Sequence, residues 1–208
     1  MPTSSTEGRG ARARAASRPA RLTFHPLVPE RWPDLERLFG QRGACGGCWC
    51  MWWRLARSEF ERGKGEKNRR ALRRIVNEGR VPGILAYADG EPVGWCAVAP
   101  RDEYPVLERS RTLKRVDERP VWSVVCLFIT RGHRRRGVSV RLLEAAADHV
   151  RRKGGGILEG YPVESRTGAM PDAFAWTGLA QAFREAGFRE VARRSPTRPI
   201  MRRTVRAR

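Results

Sequence analysis

The sequence predicts an α/β (α+β) domain with a central sheet of about six to seven strands flanked by helices. Three observations predict it. Residues 122–150 read as a buried strand, a tight basic turn and an amphipathic helix. Asp89-Gly90 lies between two apolar runs, the signal of a two-residue hairpin. Residues 157–161 read as the next strand after the helix, and a helix of about 15 residues between two strands lets them run parallel.

Taken in order, residues 21–27 alternate enough to form a first strand. Residues 29–39 read as a helix with Trp32, Leu35, Leu38 and Phe39 on its apolar side. Residues 40–47 are loop. Residues 58–79 read as one long charged helix, with Ser58 as N-cap and Gly63 and Gly65 near its first turn. The hairpin strands are 83–88 and 92–98. Residues 101–121 are an irregular connection with room for a short helix. Residues 122–130 are apolar and rich in β-branched and aromatic side chains, so that strand should be covered on both faces. After the turn at 131–137, Val138, Leu142, Leu143, Ala146, Ala147 and Val150 share one helix face. The glycines at 154–156 end that helix. Residues 162–172 read as loop and 174–186 as a last helix with Phe174, Leu179 and Phe183 inward. The strands at 188–194 and 199–205 close the domain, and no internal repeat appears.

The turn carries the chemistry. Arg134, Arg135 and Arg136 crowd the start of a helix, whose first N–H groups are unpaired and carry partial positive charge. That combination suits a phosphate. Gly137 lets the backbone approach it closely. The run Arg134-Arg135-Arg136-Gly137-Val138-Ser139, after Leu127-Phe128-Ile129, resembles the pyrophosphate-binding signature of the GCN5-related N-acetyltransferases, the GNAT superfamily. Ser139 stands where that signature has Gly or Ala, and Arg131 where many members have Pro. The resemblance spans residues 21–205. It implies a mixed, mostly antiparallel sheet whose two parallel strands splay to make a cofactor cleft.

The resemblance also implies acetyl transfer from acetyl-CoA to an amine. Arg134, Arg135, Arg136, Gly137, Val138 and Ser139 would hold the pyrophosphate, and Leu127, Phe128 and Ile129 would pair with the pantetheine arm. A backbone N–H near Leu127 or Phe128 would face the oxyanion. The family's usual Tyr general acid is here Phe183, which has no proton to give, so the role passes to Tyr161, to water or to no group. Glu159, beside the cleft, is the candidate base, set against a plain solvent-facing carboxylate. The segment Cys45–Arg54, CGGCWCMWWR, resembles one in an uncharacterised branch of GNAT-like proteins, at a place that shapes the acceptor pocket. Trp49, Cys50 and Trp53 are the candidate acceptor contacts, with a packed aromatic core as the alternative.

Cys45, Cys48 and Cys50 have metal-like spacing, but structural zinc takes four ligands and no fourth is at hand, so no metal is expected. The formal charge is +20, carried by Arg far more than Lys, and fits an anionic partner: a phosphorylated cofactor or nucleic acid. The leading expectation is a small-molecule amine as acceptor. The alternatives are a charged tRNA or a protein Lys on the same fold, or a non-enzymatic basic module with a Cys-bound metal. Residues 1–20 are expected as a disordered Arg-rich tail ahead of a single domain at 21–205. With no apolar run near the ~20 residues of a membrane span, a soluble cytoplasmic protein is expected. The family's habit of dimerising implies a homodimer.

Overall fold

The computed structural model describes residues 21–164 and 175–207. The expectations for residues 1–20, for Phe174 and for most of the loop at 162–172 lie outside the described residues.

The strands are β1 (Leu22–Pro26), β2 (Gly83–Ala88), β3 (Glu91–Pro100), β4 (Val121–Ile129), β5 (Gly156–Gly160), β6 (Arg189–Arg193) and β7 (Pro199–Val205). The helices are α1 (Trp32–Phe39), α2 (Arg57–Gly63), α3 (Glu66–Asn77), α4 (Pro105–Glu108), α5 (Val138–Arg152) and α6 (Ala180–Glu185). They build one sheet in the order β1-β2-β3-β4-β5-β7-β6. The pair β4–β5 is parallel, and the other neighbours are antiparallel. A mixed, mostly antiparallel α/β fold is therefore present: the patterning predicts its elements, and the resemblance implies this arrangement of the sheet.

Side-chain alternation splits the core in two. Leu85, Tyr87, Trp95 and Val125 face α1, α2 and α3, while Ile84, Ala86, Cys96 and Val124 face α5 and α6. Both sets are buried, which is why β2 and β4 read as continuous apolar runs. α1 is tied to the sheet where the Tyr87 hydroxyl donates to Asp34 at 2.6 Å.

Two helices differ from expectation. Residues 58–79 form α2 and α3 rather than one helix, because Gly65 sits at φ +86° and gives its N–H to Gly47 O at 2.9 Å. A left-handed residue cannot continue a right-handed helix. Asn68 then donates to Gly47 O (3.3 Å) and Phe60 O (3.4 Å), locking the corner. The last helix begins at Ala180, and residues 175–179 lie ahead of it outside the helix. Leu179 lies ahead of it and is 44% exposed, while Phe183 is buried as expected. Gly178, at φ +88°, keeps the chain before it out of the helix.

His149 of α5 is buried with its ring against Trp122 (5.7 Å, edge to face). Burial, helped by Lys153 and Arg152, lowers its pKa to about 4. The unfolded chain takes up that proton near the ordinary value of about 6.5, so stability is lost as pH falls from there toward 4. We expect a loss of roughly 2–3 kcal/mol across that window in denaturant titrations, flattened in His149→Phe. An unchanged pH slope in the variant would contradict it.

Candidate active site

β4 and β5 pair from Val121↔Ile157 to Val124↔Gly160 and no further. β5 ends there, whereas β4 runs on to Ile129 with β3 on its other side. Two local features part the strands. Register against β3 shifts between Ala97 and Val98, which makes Val125 the extra residue of a bulge. Gly160 meets the ring of Phe183, whose Cε1 would lie 2.1 Å from any Cβ at that position. The β4 edge beyond Val124 therefore faces a gap. Within it the Leu127 N–H donates to Trp176 O at 2.7 Å.

A single 3-10 turn (Arg131–His133) follows β4. Thr130 Oγ1 bonds His133 Nδ1 at 3.0 Å, and Arg134 Nε donates to Ile129 O at 2.9 Å. Arg135 takes a left-handed conformation (φ +56°), as does Gly137 (φ +72°), the residue from which α5 starts. Among the described residues no side chain caps α5, and a Cβ on Gly137 would meet open space. Arg135, Arg136 and Gly137 are exposed. The first N–H groups of a 15-residue helix thus open outward among guanidinium groups.

The aromatic segment lies on the opposite face from α5. Trp49 (φ +46°) and Cys50 (φ +55°) are both left-handed and buried. Trp49 stacks on Trp32 (6.1 Å) and tilts against Phe39 (5.5 Å), with Gly43 directly under its indole. It is core, not a pocket wall. Cys50 is core as well: Trp95 Nε1 donates to its sulfur at 3.1 Å. A hydrogen bond from the Cys126 thiol, outweighing burial, lowers the Cys50 pKa, and the same contact raises that of Cys126. Burial pushes Cys48 up to about 12. All five cysteines are free, and among the described residues no cluster of metal-ligating side chains could hold an ion.

Trp53 is half-buried and meets Trp176 at 5.8 Å. Trp52 contacts the same ring at 6.4 Å and Trp53 at 6.5 Å. Sequence reading named Trp53 but missed Trp176, an isolated Trp with no periodic neighbour to place it. It also missed Arg54, whose Nη1 donates to Glu103 Oε2 at 2.6 Å while its guanidinium lies 4.5 Å from the Tyr104 ring centre.

Glu159 and Tyr161 are brought together, but fully buried. Arg101 Nη1 donates to Glu159 Oε1 (3.0 Å), and Arg202 Nε to Oε2 (2.6 Å). The Tyr161 hydroxyl donates to Glu159 Oε1 (2.6 Å), accepts from Arg101 Nη1 (2.6 Å) and meets Ser123 Oγ (2.8 Å), which therefore donates. Burial first, then the Glu159 charge, raise the Tyr161 pKa well above the ordinary phenol value. The carboxylate is neither solvent-facing nor at the open part of the gap.

Residues 49–170, more than half of the 208-residue chain, match the model of the acetyltransferase (GNAT) family. The chain belongs to that family. A comparison with curated proteins gives no match. Solved GNAT structures share its fold. One from Listeria monocytogenes superposes with a TM-score of 0.54 at 10% identity, covering 88% of this chain and 94% of that one. One from Streptococcus agalactiae gives 0.53 at 12% identity, covering 88% and 95%. One from Desulfovibrio desulfuricans gives 0.50 at 16% identity, covering 89% and 99%. The chain is thus an acetyl-CoA-dependent GNAT acetyltransferase.

The residues fit that co-substrate. In a GNAT protein the uncapped start of α5 and the exposed guanidinium groups of Arg135 and Arg136 are matched to a diphosphate, and open space at Gly137 leaves room for it. The β4 edge is not paired with β5 beyond Val124, and an extended arm would have to lie along that edge. No helix among the described residues is long and apolar enough to cross a membrane.

Binding of acetyl-CoA at a hundred times its dissociation constant should raise stability by about 2.7 kcal/mol, a melting shift of roughly 5–10 °C. Gly137→Glu puts a carboxylate and a strained left-handed residue into the cradle, and thermal melts should show the shift abolished. An undiminished shift would remove the cradle from the site.

Proposed function

We propose that this GNAT protein acetylates the primary amine of a small molecule by direct attack within a ternary complex. The amine nitrogen bonds to the acetyl carbon, the carbon–sulfur bond breaks, coenzyme A leaves as thiolate and the amine proton passes to water. The observation that carries this reading is a half-buried indole wall, Trp52 and Trp53, one residue removed from the β4 edge: Trp176 touches both indoles, and its carbonyl meets Leu127. Such walls enclose a small acceptor and attract its cationic form before deprotonation. A tRNA or a protein lysine would need an open groove. Here α2 and the connection before β4 flank the wall: Phe60 packs on Trp52 at 5.1 Å, and Val106 N–H donates to Trp53 O at 3.3 Å.

Within this reading Leu127, Phe128 and Ile129 line the acyl arm, and the turn from Arg134 to Ser139 holds the diphosphate. Glu159 and Tyr161 serve as positioning residues rather than base and acid. Both Glu159 oxygens are held by guanidinium groups, and a buried phenol with a raised pKa keeps its proton. Phe183 adds no acid. A thiol of pKa about 8.5 leaves without one.

A panel of small amines, lysine peptides and aminoacyl-tRNA, read by coenzyme A release, tests the acceptor. Turnover should be confined to small amines and should rise with pH as each amine loses its proton. Turnover on peptide or tRNA alone would replace the reading. Trp53→Ala should raise the acceptor KM at least tenfold with little loss of stability, whereas Trp49→Ala should cost about 3–5 kcal/mol of stability. Glu159→Gln should cost roughly 3 kcal/mol or more by stranding buried guanidinium charge, and should leave the pH profile of the folded enzyme unchanged. A profile that loses an acidic limb would restore Glu159 as base.

A further inference from the structure

We propose that residues 175–179 are a strap that the chain lays in its own acyl slot, so that acetyl-CoA binds only after the strap leaves β4. The proposal rests on the acetyl-CoA reading of that slot. Leu127 offers one N–H toward the gap, and Trp176 O takes it at 2.7 Å. An N–H in a bond this short has no capacity for a second strong acceptor, so the strap and an acyl-CoA arm along the same edge exclude one another.

The strap is seated as a strand surrogate. Leu179 forms a parallel bridge with Val163, whose N–H donates to Gly178 O (2.8 Å) and whose carbonyl accepts from Ala180 (2.9 Å). It thereby fills the gap between β4 and the chain that continues from β5. The seat is cut for glycine: a Cβ on Gly178 would lie 2.8 Å from Leu127 Cδ1 and 2.7 Å from Phe183 Cε2, at φ +88°. Thr177 Oγ1 accepts from Arg198 Nη1 at 2.9 Å.

The seat is also poised to open. The Trp176 indole covers Trp53, and Trp53 Nε1 is buried with no hydrogen-bond partner among the described residues. A buried unpaired donor penalises the closed arrangement. Withdrawing Trp176 frees two things together: the Leu127 N–H for an acyl oxygen and the Trp53 face for the acceptor. One movement therefore readies both halves of the site.

Calorimetric titration of the full chain with coenzyme A tests this, on wild type, Trp176→Ala and Gly178→Ala. A site open only part of the time binds with its affinity reduced by that fraction. Both variants should therefore bind about tenfold more tightly. By stopped-flow fluorescence the wild-type binding rate should level off with rising coenzyme A at the strap-opening rate, and that of Trp176→Ala should keep climbing. Should either variant fail to fold, Thr177→Val, which releases Arg198, carries the same expectation. Equal affinities with a wild-type rate linear in coenzyme A would overturn the strap alone. Absence of coenzyme A binding in every protein would overturn the acyl-CoA reading and the strap with it.

Discussion

A strand that parts from its neighbour leaves backbone groups that must find another partner. That requirement, imposed where β4 and β5 separate after Val124 and Gly160, governs the rest of the molecule. The separation is built in rather than incidental. The bulge at Val125 re-aims β4, and the Phe183 ring takes the space that any side chain at Gly160 would need. The helix start with its guanidinium groups follows directly from the far end of β4, and the indole wall lies on the face opposite α5. In the proposed reading three kinds of chemistry meet around one strand: charge for phosphate, amide edge for the acyl arm, aromatic surface for the acceptor.

The aromatic segment shows how such a site is supported from beneath. Two successive left-handed residues, Trp49 and Cys50, are costly for side chains with a Cβ. Packing holds them there. Trp49 lies between Trp32, Phe39 and the bare backbone of Gly43, and Cys50 takes the indole hydrogen of Trp95. The outcome is a division of labour within one short segment: its first indole is structural, and the next two remain at the surface of the gap.

Much of this was legible in the sequence. Strand, basic turn and helix at 121–152 were readable because apolar periodicity, the Arg run and Gly137 all point the same way. The hairpin was readable from Asp89-Gly90, whose φ values of +50° and +89° are those that such a turn requires. The split of α2 from α3 was only half readable. Gly65 was visible, but its bond to Gly47 is a contact across 18 residues that no local pattern encodes. The same holds for Glu159. On a strand end it reads as exposed, and only the fold reveals that Arg101 and Arg202, distant in sequence, converge on it. Trp49 and Trp53 are alike in sequence, and only tertiary packing sorts one into the core and the other beside the gap. Trp176 was invisible because no periodic neighbour places it, and its ring and carbonyl meet residues distant in sequence, Trp53 and Leu127.

The connection between β3 and β4 is irregular along most of its length, yet guanidinium groups fasten it at several points. Arg101 reaches Glu159, Arg202 reaches Asp117, Arg54 reaches Glu103, and Arg194 holds the carbonyls of Lys114 and Arg115. The side chains of Arg101 and Glu159 are each 1% exposed. Mobile ions screen charges that face water over about 10 Å at 0.1 M salt, but they screen a pair sealed from water far less. Among the described residues most other ion pairs lie at the surface and will fade as salt rises, while the central clamp will not. The wall of the site made by this connection should therefore keep its shape at ionic strengths that erase much of the protein's surface electrostatics, leaving recognition of the anionic co-substrate as the salt-sensitive step.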